Sequence, residues 1–304
     1  MASVKNTVKI KGVGIHSGAP VNVRILPSET PGIFFRRTDI KGAPLIPATW
    51  DGVSDATRMN TTIGRGENSV QTIEHLMAAL FIMGIDGAIV EIDGPETPIM
   101  DGSAAEFIKL IRAAGTAGAP ALKKIKVKKT VVAYRKDLIK KLPFARRAML
   151  LLHNLKTGRK EDGFVKLSPA RGLEIHAVLD YPDKAIGRQA FDWKGDAAAF
   201  IKDIATARTF GRISEWEYLK RRGMGRGASE NNVIVLNQDG TGTLNKLHFK
   251  DEFVRHKIVD LVGDMFTSGG EIVGRVESVK GSHGLNNEVL RKLFADPENY
   301  EIME

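Results

Sequence analysis

The chain has 304 residues, 42% of them apolar, with a formal net charge of +9 and no cysteine. That length gives one large domain or two of ordinary size with a proper core, and the lack of cysteine excludes a disulfide framework and any thiolate metal site. The opening MASVKNTVKIKGVGIHSG lacks a continuous apolar run and no segment approaches the ~20 apolar residues of a spanning helix, so a cytoplasmic protein is expected.

Residues 1–50 alternate apolar and polar side chains, as in VKIKGVGIHSG and VNVRILP, and read as short strands between Gly and Pro turns. SVQTIEHLMAALFIMG predicts a helix over about 70–83, with Ile73, Leu76, Met77 and Leu80 on one side and Gly84 as its stop. AIVEIDG reads as a strand and PETPIMDG as a Pro-rich loop. Ser103 to Glu106 forms a capping-box signature for a helix running to about Ala114. The Gly- and Ala-rich stretch 115–120 is the best boundary, dividing the chain into domains 1–120 and 121–304. KIKVKKTVVAYR follows as one alternating strand. Residues 121–171 carry 16 Lys and Arg against Asp137, Glu161 and Asp162, a local balance of +13 that leaves the rest at −4. Basicity is therefore a property of one block, suited to nucleic acid, phospholipid or a nucleotide substrate, or simply a solvated face. Helices near 196–207 and 213–222, the strand NNVIVL, a helix at 252–268 and the strand EIVGRVESV complete the chain. The pattern predicts two α+β domains, each with sheet on one side and helices on the other.

The helix DEFVRHKIVDLVGDMF carries His256, Asp260 and Asp264 at four-residue spacing, which stacks them in one stripe. Val254, Ile258, Leu261, Val262, Met265 and Phe266 flank the stripe and should face a core. Imidazole and carboxylates beside a buried face need a partner, and a metal ion is one, since both are zinc ligands. A solvated helix face, extended one turn by Glu252, is the alternative. Glu74 and His75 offer a third ligand and a neighbouring base; alone they read equally as a capped or solvated pair, and no HExxH motif is present. Three protein ligands leave one position open for water, the arrangement of catalytic rather than structural zinc. His283, between glycines in KGSHGLNN, reads as a mobile, exposed loop histidine available as an acid, or as an ordinary surface residue. A metal shared by His75 and by His256 with Asp260 would lie between the two domains, a common place for a cleft.

QTIEHLMAAL, PIMDGSAAEF, ARTFG, DEFVRHKIVD and HGLNN, with GVGIHSG and FRRTD near the start, closely resemble the signature blocks of the UDP-3-O-acyl-N-acetylglucosamine deacetylases, zinc amidases of lipid A biosynthesis. The resemblance runs through nearly the whole chain in the same order. It implies a two-domain α+β sandwich, each domain a mainly antiparallel sheet packed against helices, with the active site between them. It implies His75, His256 and Asp260 as zinc ligands, Glu74 as the base that activates water, His283 as the acid and Asp264 as its orienting partner. Thr209 would help stabilise the oxyanion, and Phe210, Lys257 and Lys280 would contact the substrate. Residues 213–235 would shape an apolar passage for the acyl chain. These ligand types also suit ferrous iron. The implied partner is an acylated UDP-amino sugar, with the chain a monomer and no nucleic acid involved.

Some positions depart from the family pattern. Gly227-Ala228-Ser229 stands for Gly-Gly-Ser, which would strain Ala228 if that position needs positive φ; Gly281-Ser282-His283 stands for Ser-Gly-His; Asp183-Lys184 replaces a His-Pro pair and suggests no role. Residues 136–162 are extra, basic residues around an apolar cluster at 149–152. They read as an extended hairpin with one inward strand or, alternatively, as a patch for the anionic inner membrane. Two other functions fit parts of the sequence: a zinc amidase acting on another acylated amino sugar, and a nucleic-acid-binding protein using the basic block. Against the second, that block has few aromatics, Tyr134, Phe144 and Phe164, and no known nucleic-acid motif.

Overall fold

Val8–Val13 and Pro20–Pro27 alternate buried and exposed side chains, as the sequence pattern requires of strands with one covered face. In the computed structural model, which describes residues 1–54, 59–119, 122–147, 149 and 162–303, they open a five-stranded sheet. Its order is Val8–Val13, Pro20–Pro27, Gly87–Ile92, Gly32–Arg37, Ile46–Pro47. The centre of this sheet is Gly87–Ile92, the AIVEIDG strand. Helix α1 (Glu74–Ile82) packs against α2 (Ala105–Ala114), which packs on this sheet. α1 is shorter than predicted because Asn68–Val70 is a strand paired with Ile63–Arg65. The start of α2 also differs from the expected capping box. Its N-cap is Ala104, while the Ser103 hydroxyl accepts from the Ala105 N–H and donates to Asp101.

The second sheet has seven strands and centres on Glu271–Val279, which is nearly all buried or half-buried. Phe164–Ser168 joins it antiparallel, and Lys124–Val127 and Leu173–Asp180 join it parallel. KIKVKKTVVAYR is two strands rather than one, Lys124–Val127 and Val131–Tyr134, broken where Lys128 and Lys129 both turn to the Asn299 carbonyl. Of the thirteen strand pairings among the described residues nine are antiparallel, so the fold is a mixed, mainly antiparallel α+β arrangement of sheets packed against helices.

Five named α-helices follow among the described residues of this half. They are α3 (Arg135–Lys140), α4 (Ala197–Asp203), α5 (Ile213–Arg221), α6 (Glu252–Phe266) and α7 (His283–Phe294). α3 and the helical residues 144–147 replace the hairpin expected over 136–162, as far as that segment is described; the 149–152 cluster lies outside the described residues except for Met149. The chain there is rich in Lys, Arg and Leu, good helix formers that outweigh its weak alternation.

α1 and α6 lie against each other at the middle of the molecule, and both are buried almost all round. Gly263 sets their distance. A Cβ there would lie 2.0 Å from the Glu74 carbonyl oxygen, which no side chain tolerates. The glycine lets backbone meet backbone and brings Glu74 and His75 opposite the His256–Asp260–Asp264 stripe. Gly263→Ala is therefore expected to cost about 3 kcal/mol or more, at the upper end of overpacking. Thermal unfolding beside a control such as Gly269→Ala, where a Cβ meets nothing but φ is positive, checks it; a loss at Gly263 no larger than at Gly269 would contradict the close contact.

Candidate active site

The four-residue spacing on α6 delivers His256, Asp260 and Asp264 to one buried stripe, each at most 3% exposed. Across the crossing α1 presents Glu74 and His75. His75 Nε2 lies 3.6 Å and His256 Nε2 3.4 Å from the same oxygen, Asp260 Oδ1. These separations exceed good hydrogen bonds, so three electron-pair donors face one another across a gap. All three lie within 4.8 Å of one another. The His256 tautomer is set by its other nitrogen: Nδ1 sits 3.0 Å from the Ala207 carbonyl, which can only accept, so Nδ1 carries the hydrogen and Nε2 offers its lone pair to the gap. Asp260 Oδ2 is occupied by Lys257 Nζ at 2.8 Å, leaving Oδ1 for the gap. Two imidazoles and one carboxylate oxygen fit a zinc-class cation, and the set has the three-ligand composition of a catalytic site.

Burial pushes His256 down to about 3, a neutral, ligand-ready state, with Asp260 only partly opposing. Burial acts on Asp260 in the opposite sense, but Lys257, His256 and His283 together hold it well below the usual carboxylate range. Beside this group stand Glu74 and His283. Glu74 Oε2 accepts the Thr61 N–H at 2.9 Å, and Oε1 lies 3.9 Å from His283 Nε2. His283 Nδ1 meets Asp264 Oδ2 at 2.8 Å, an oxygen that also accepts Asn286 Nδ2 at 2.8 Å. The Thr61 hydroxyl donates to the other oxygen, Oδ1. Burial raises Glu74 above the ordinary carboxylate range, partly offset by His283 and His75. Burial alone would lower His283, yet Asp264, Glu74 and Asp260 outweigh it and raise it to about 10.

His283 is thus neither mobile nor exposed. It is 7% exposed and is the first residue of α7, capped by Ser282, whose hydroxyl accepts from the Leu285 N–H. Serine at 282 serves that cap, and the left-handed residue of the turn is Lys280, at φ 50°. Ala228 lies outside the positive-φ region, so the strain expected there is absent. Glu252 is fully buried rather than solvated, bound by Arg208 Nε at 2.9 Å and by the His248 N–H at 2.6 Å.

A cavity of ≈ 280 Å³ opens on this cluster. Glu74, His75, Thr209, His256, Asp260 and His283 line it together with the apolar Ile15, Ile99, Trp216, Leu219, Val233 and Val235. Phe210 and Lys257 also line it, with Lys257 Nζ 5.3 Å from the Phe210 ring centre. Thr209 is placed by its backbone, N–H to the Gly102 carbonyl and C=O to the Ile234 N–H, both 2.8 Å. Lys280 does not line the cavity; its Nζ binds Asp162 at 3.1 Å and lies 3.4 Å from Asp180, while its neighbours Gly281 and Ser282 do line it.

A family model described as UDP-3-O-acyl N-acetylglycosamine deacetylase matches residues 2–295. The chain belongs to the UDP-3-O-acyl N-acetylglycosamine deacetylase family. Relatives named UDP-3-O-acyl-N-acetylglucosamine deacetylase agree over nearly the full length. The protein of Myxococcus xanthus (strain DK1622) is 38% identical over 99% of this chain and 88% of its own. That of Citrifermentans bemidjiense is 38% identical over 98% and 90%, and that of Teredinibacter turnerae 36% over 99% and 92%.

In this deacetylase-family cavity the sequence reading passed over His16, Tyr181 and Arg212, while Glu215 and Trp216 fall inside the 213–235 stretch expected to shape the passage. His16 had a signal, since GVGIHSG is one of the resembling blocks. Its backbone N–H donates to the buried Glu96 carboxylate at 2.9 Å, and its Nδ1 is a buried nitrogen without a protein partner. Tyr181 just follows the strand Leu173–Asp180 and Arg212 is the N-cap of α5, with no spacing to mark either.

A base that must be ionised and an acid that must be protonated give a bell-shaped profile. With Glu74 as base and His283 as acid, activity falls as pH drops through the raised Glu74 value and as it climbs through the raised His283 value; a bound cation would draw both limbs downward. Asp264→Asn removes the leading charge that supports protonated His283, so the alkaline limb of kcat/KM is expected to move down by about one unit or more. An unmoved limb would separate Asp264 from His283 function.

Proposed function

We infer that this protein is a UDP-3-O-acyl-N-acetylglucosamine deacetylase, a metal-dependent amidohydrolase that releases acetate from its acylated UDP-sugar substrate in lipid A biosynthesis. The observation that carries the chemistry is the gap shared by His75, His256 and Asp260, flanked by Glu74 and His283 within one cavity. We propose zinc as the metal. It supplies a Lewis acid for the amide carbonyl and lowers the pKa of water.

The chain's own residues divide the remaining work. Glu74 takes a proton from the water whose oxygen attacks the acetyl carbonyl carbon. Thr209 stabilises the oxyanion. His283 gives its proton to the amide nitrogen as the C–N bond breaks, so acetate and a free amine leave. Asp264 holds the imidazolium in orientation through Nδ1, which keeps Nε2 for the transfer. Phe210 and Lys257 contact the substrate, and Lys280 stands in the turn that leads into His283. The apolar part of the cavity, with Trp216, Leu219, Val233 and Val235, takes the acyl chain. Every group in this scheme comes from a single chain, so the scheme needs no second copy, and a monomer is proposed.

The domains are read as 1–120 and 121–304. Strand Ala2–Val4 pairs with Thr116–Gly118, closing the first half on itself just before the proposed boundary. The mechanism then draws on both halves, with α1 from the first and α6 and α7 from the second.

The basic segment is read as a contact for the anionic inner leaflet from the cytoplasmic side. No helix among the described residues is long and apolar enough to cross a membrane. Yet Phe144 is 78% and Met149 67% exposed beside Arg146 and Arg147, an apolar pair among cations. Each basic residue near such a surface contributes about 1 kcal/mol. The full chain is expected to sediment with anionic liposomes and a deletion of 136–162 to lose most of that binding; equal binding by both forms would remove the membrane role.

Acetate release from the UDP-linked substrate tests the main reading. Activity is expected to disappear on chelation and return with zinc, and His283→Ala is expected to lower kcat about a hundredfold or more with little change in KM. Activity indifferent to chelation would reject the metal, and unimpaired turnover in His283→Ala would reject its acid role.

A further inference from the structure

α5 forms part of the acyl cavity through Trp216 and Leu219, yet none of its described side chains is buried. A helix without a buried face takes little of its position from core packing, so polar attachments must fix it. One is at its far side, where Trp216 Nε1 donates to the Gly225 carbonyl at 2.9 Å. The loop after it is tied to the N-terminal segment by the Arg226 N–H to the His16 carbonyl at 3.2 Å and the Gly227 N–H to the Ile15 carbonyl at 3.0 Å. That approach needs glycine, since a Cβ on Gly227 would lie 2.2 Å from the Gly14 carbonyl oxygen.

The other attachment is ionic. Arg212, the N-cap of α5, donates through Nε to Asp183 Oδ1 at 2.8 Å and through Nη2 to Asp183 Oδ2, while Nη1 reaches Glu215 Oε1 at 2.9 Å. This two-point fork fixes direction as well as distance. Asp183 is a firm anchor. Its carbonyl accepts the Ile186 and Gly187 N–H groups at 3.0 and 2.7 Å, and its side chain is 10% exposed. Gly240 packs so closely that a Cβ there would lie 2.6 Å from Oδ1. Hydrogen bonding from Arg212 holds the Asp183 carboxyl below its ordinary range, so the pair stays charged. Arg212 and Glu215 line the cavity and Asp183 does not.

We propose that the Asp183–Arg212 pair is a clamp that sets where α5 stands and thereby the acyl-chain length the cavity accepts. Asp183 is a positioning residue here, acting through Arg212 without touching substrate. The inference rests on the deacetylase reading above and assigns a role to the aspartate that stands in place of the family's usual His-Pro pair.

The test measures kcat and KM for wild type, Asp183→Ala and Asp183→Glu on UDP-linked substrates identical except for short, medium and long 3-O-acyl chains. Wild type is expected to discriminate among them. Asp183→Ala is expected to shrink the ratio of kcat/KM between best and worst chain by about tenfold, mainly through KM, as loosened apolar contacts do. Asp183→Glu restores most of the ratio, while bound zinc and the pH profile stay at wild-type values in both. Asp183→Asn, which keeps the side-chain shape but not the charge, takes the place of the alanine variant should that one fail to fold. An equal loss on every chain length, an unchanged preference in the variants, or a wild type with no preference would overturn the clamp. Failure of wild type to release acetate from any of the substrates would instead overturn the deacetylase reading, and the clamp with it.

Discussion

The close crossing of α1 and α6 is the constraint on which the rest of the site depends. Two helices from distant parts of the chain meet with Gly263 against the Glu74 backbone, and no bulkier residue fits. Their separation decides whether two imidazoles and a carboxylate can surround one ion, or merely share a core. It also decides whether Glu74 can reach into the same space as His283, since their carboxylate and imidazole stand 3.9 Å apart. The sheets and outer helices serve to hold this crossing; the apolar flanks of α6, Val254, Ile258, Leu261 and Val262, are buried to within 2% exposure.

Charge is the second requirement of so buried a cluster. Three carboxylates, those of Glu74, Asp260 and Asp264, each 3% exposed, lie together away from water, and burial of unpaired charge is costly. Lys257 sits on Asp260, and His283, raised to about 10, sits between Asp264 and Glu74. A divalent cation among His75, His256 and Asp260 would complete that balance. The polar network thus favours a protonated His283 and a neutral His256.

Much of this was legible in the sequence because helical periodicity and short motifs are local. The His256–Asp260–Asp264 stripe, the α1 segment with Glu74-His75 and the strands at 87–92 and 271–279 all follow from spacing. A cation shared by His75 and His256 was an open possibility from the residues alone and became a definite expectation through the family resemblance, since spacing carries no information on which helices cross. The environment of His283 was misread for a physical reason. Flanking glycines suggest a mobile loop, but Ser282 caps a helix and Asp264 fixes the ring, and neither contact is visible without the tertiary structure. Asp183 gave no local signal at all, because its partner Arg212 lies 29 residues away. The basic segment failed in a third way: alternation suggested strands where helix-forming side chains prevail, at least over the described part.

Zinc K-edge X-ray absorption on the purified, zinc-loaded protein tests the central claim most directly. Two imidazole nitrogens and a carboxylate oxygen at about 2.0–2.2 Å are expected, with one imidazole lost in His75→Ala and the other in His256→Ala. A spectrum with fewer than two imidazoles, or one that neither substitution alters, would contradict the convergence of α1 and α6 on a single ion.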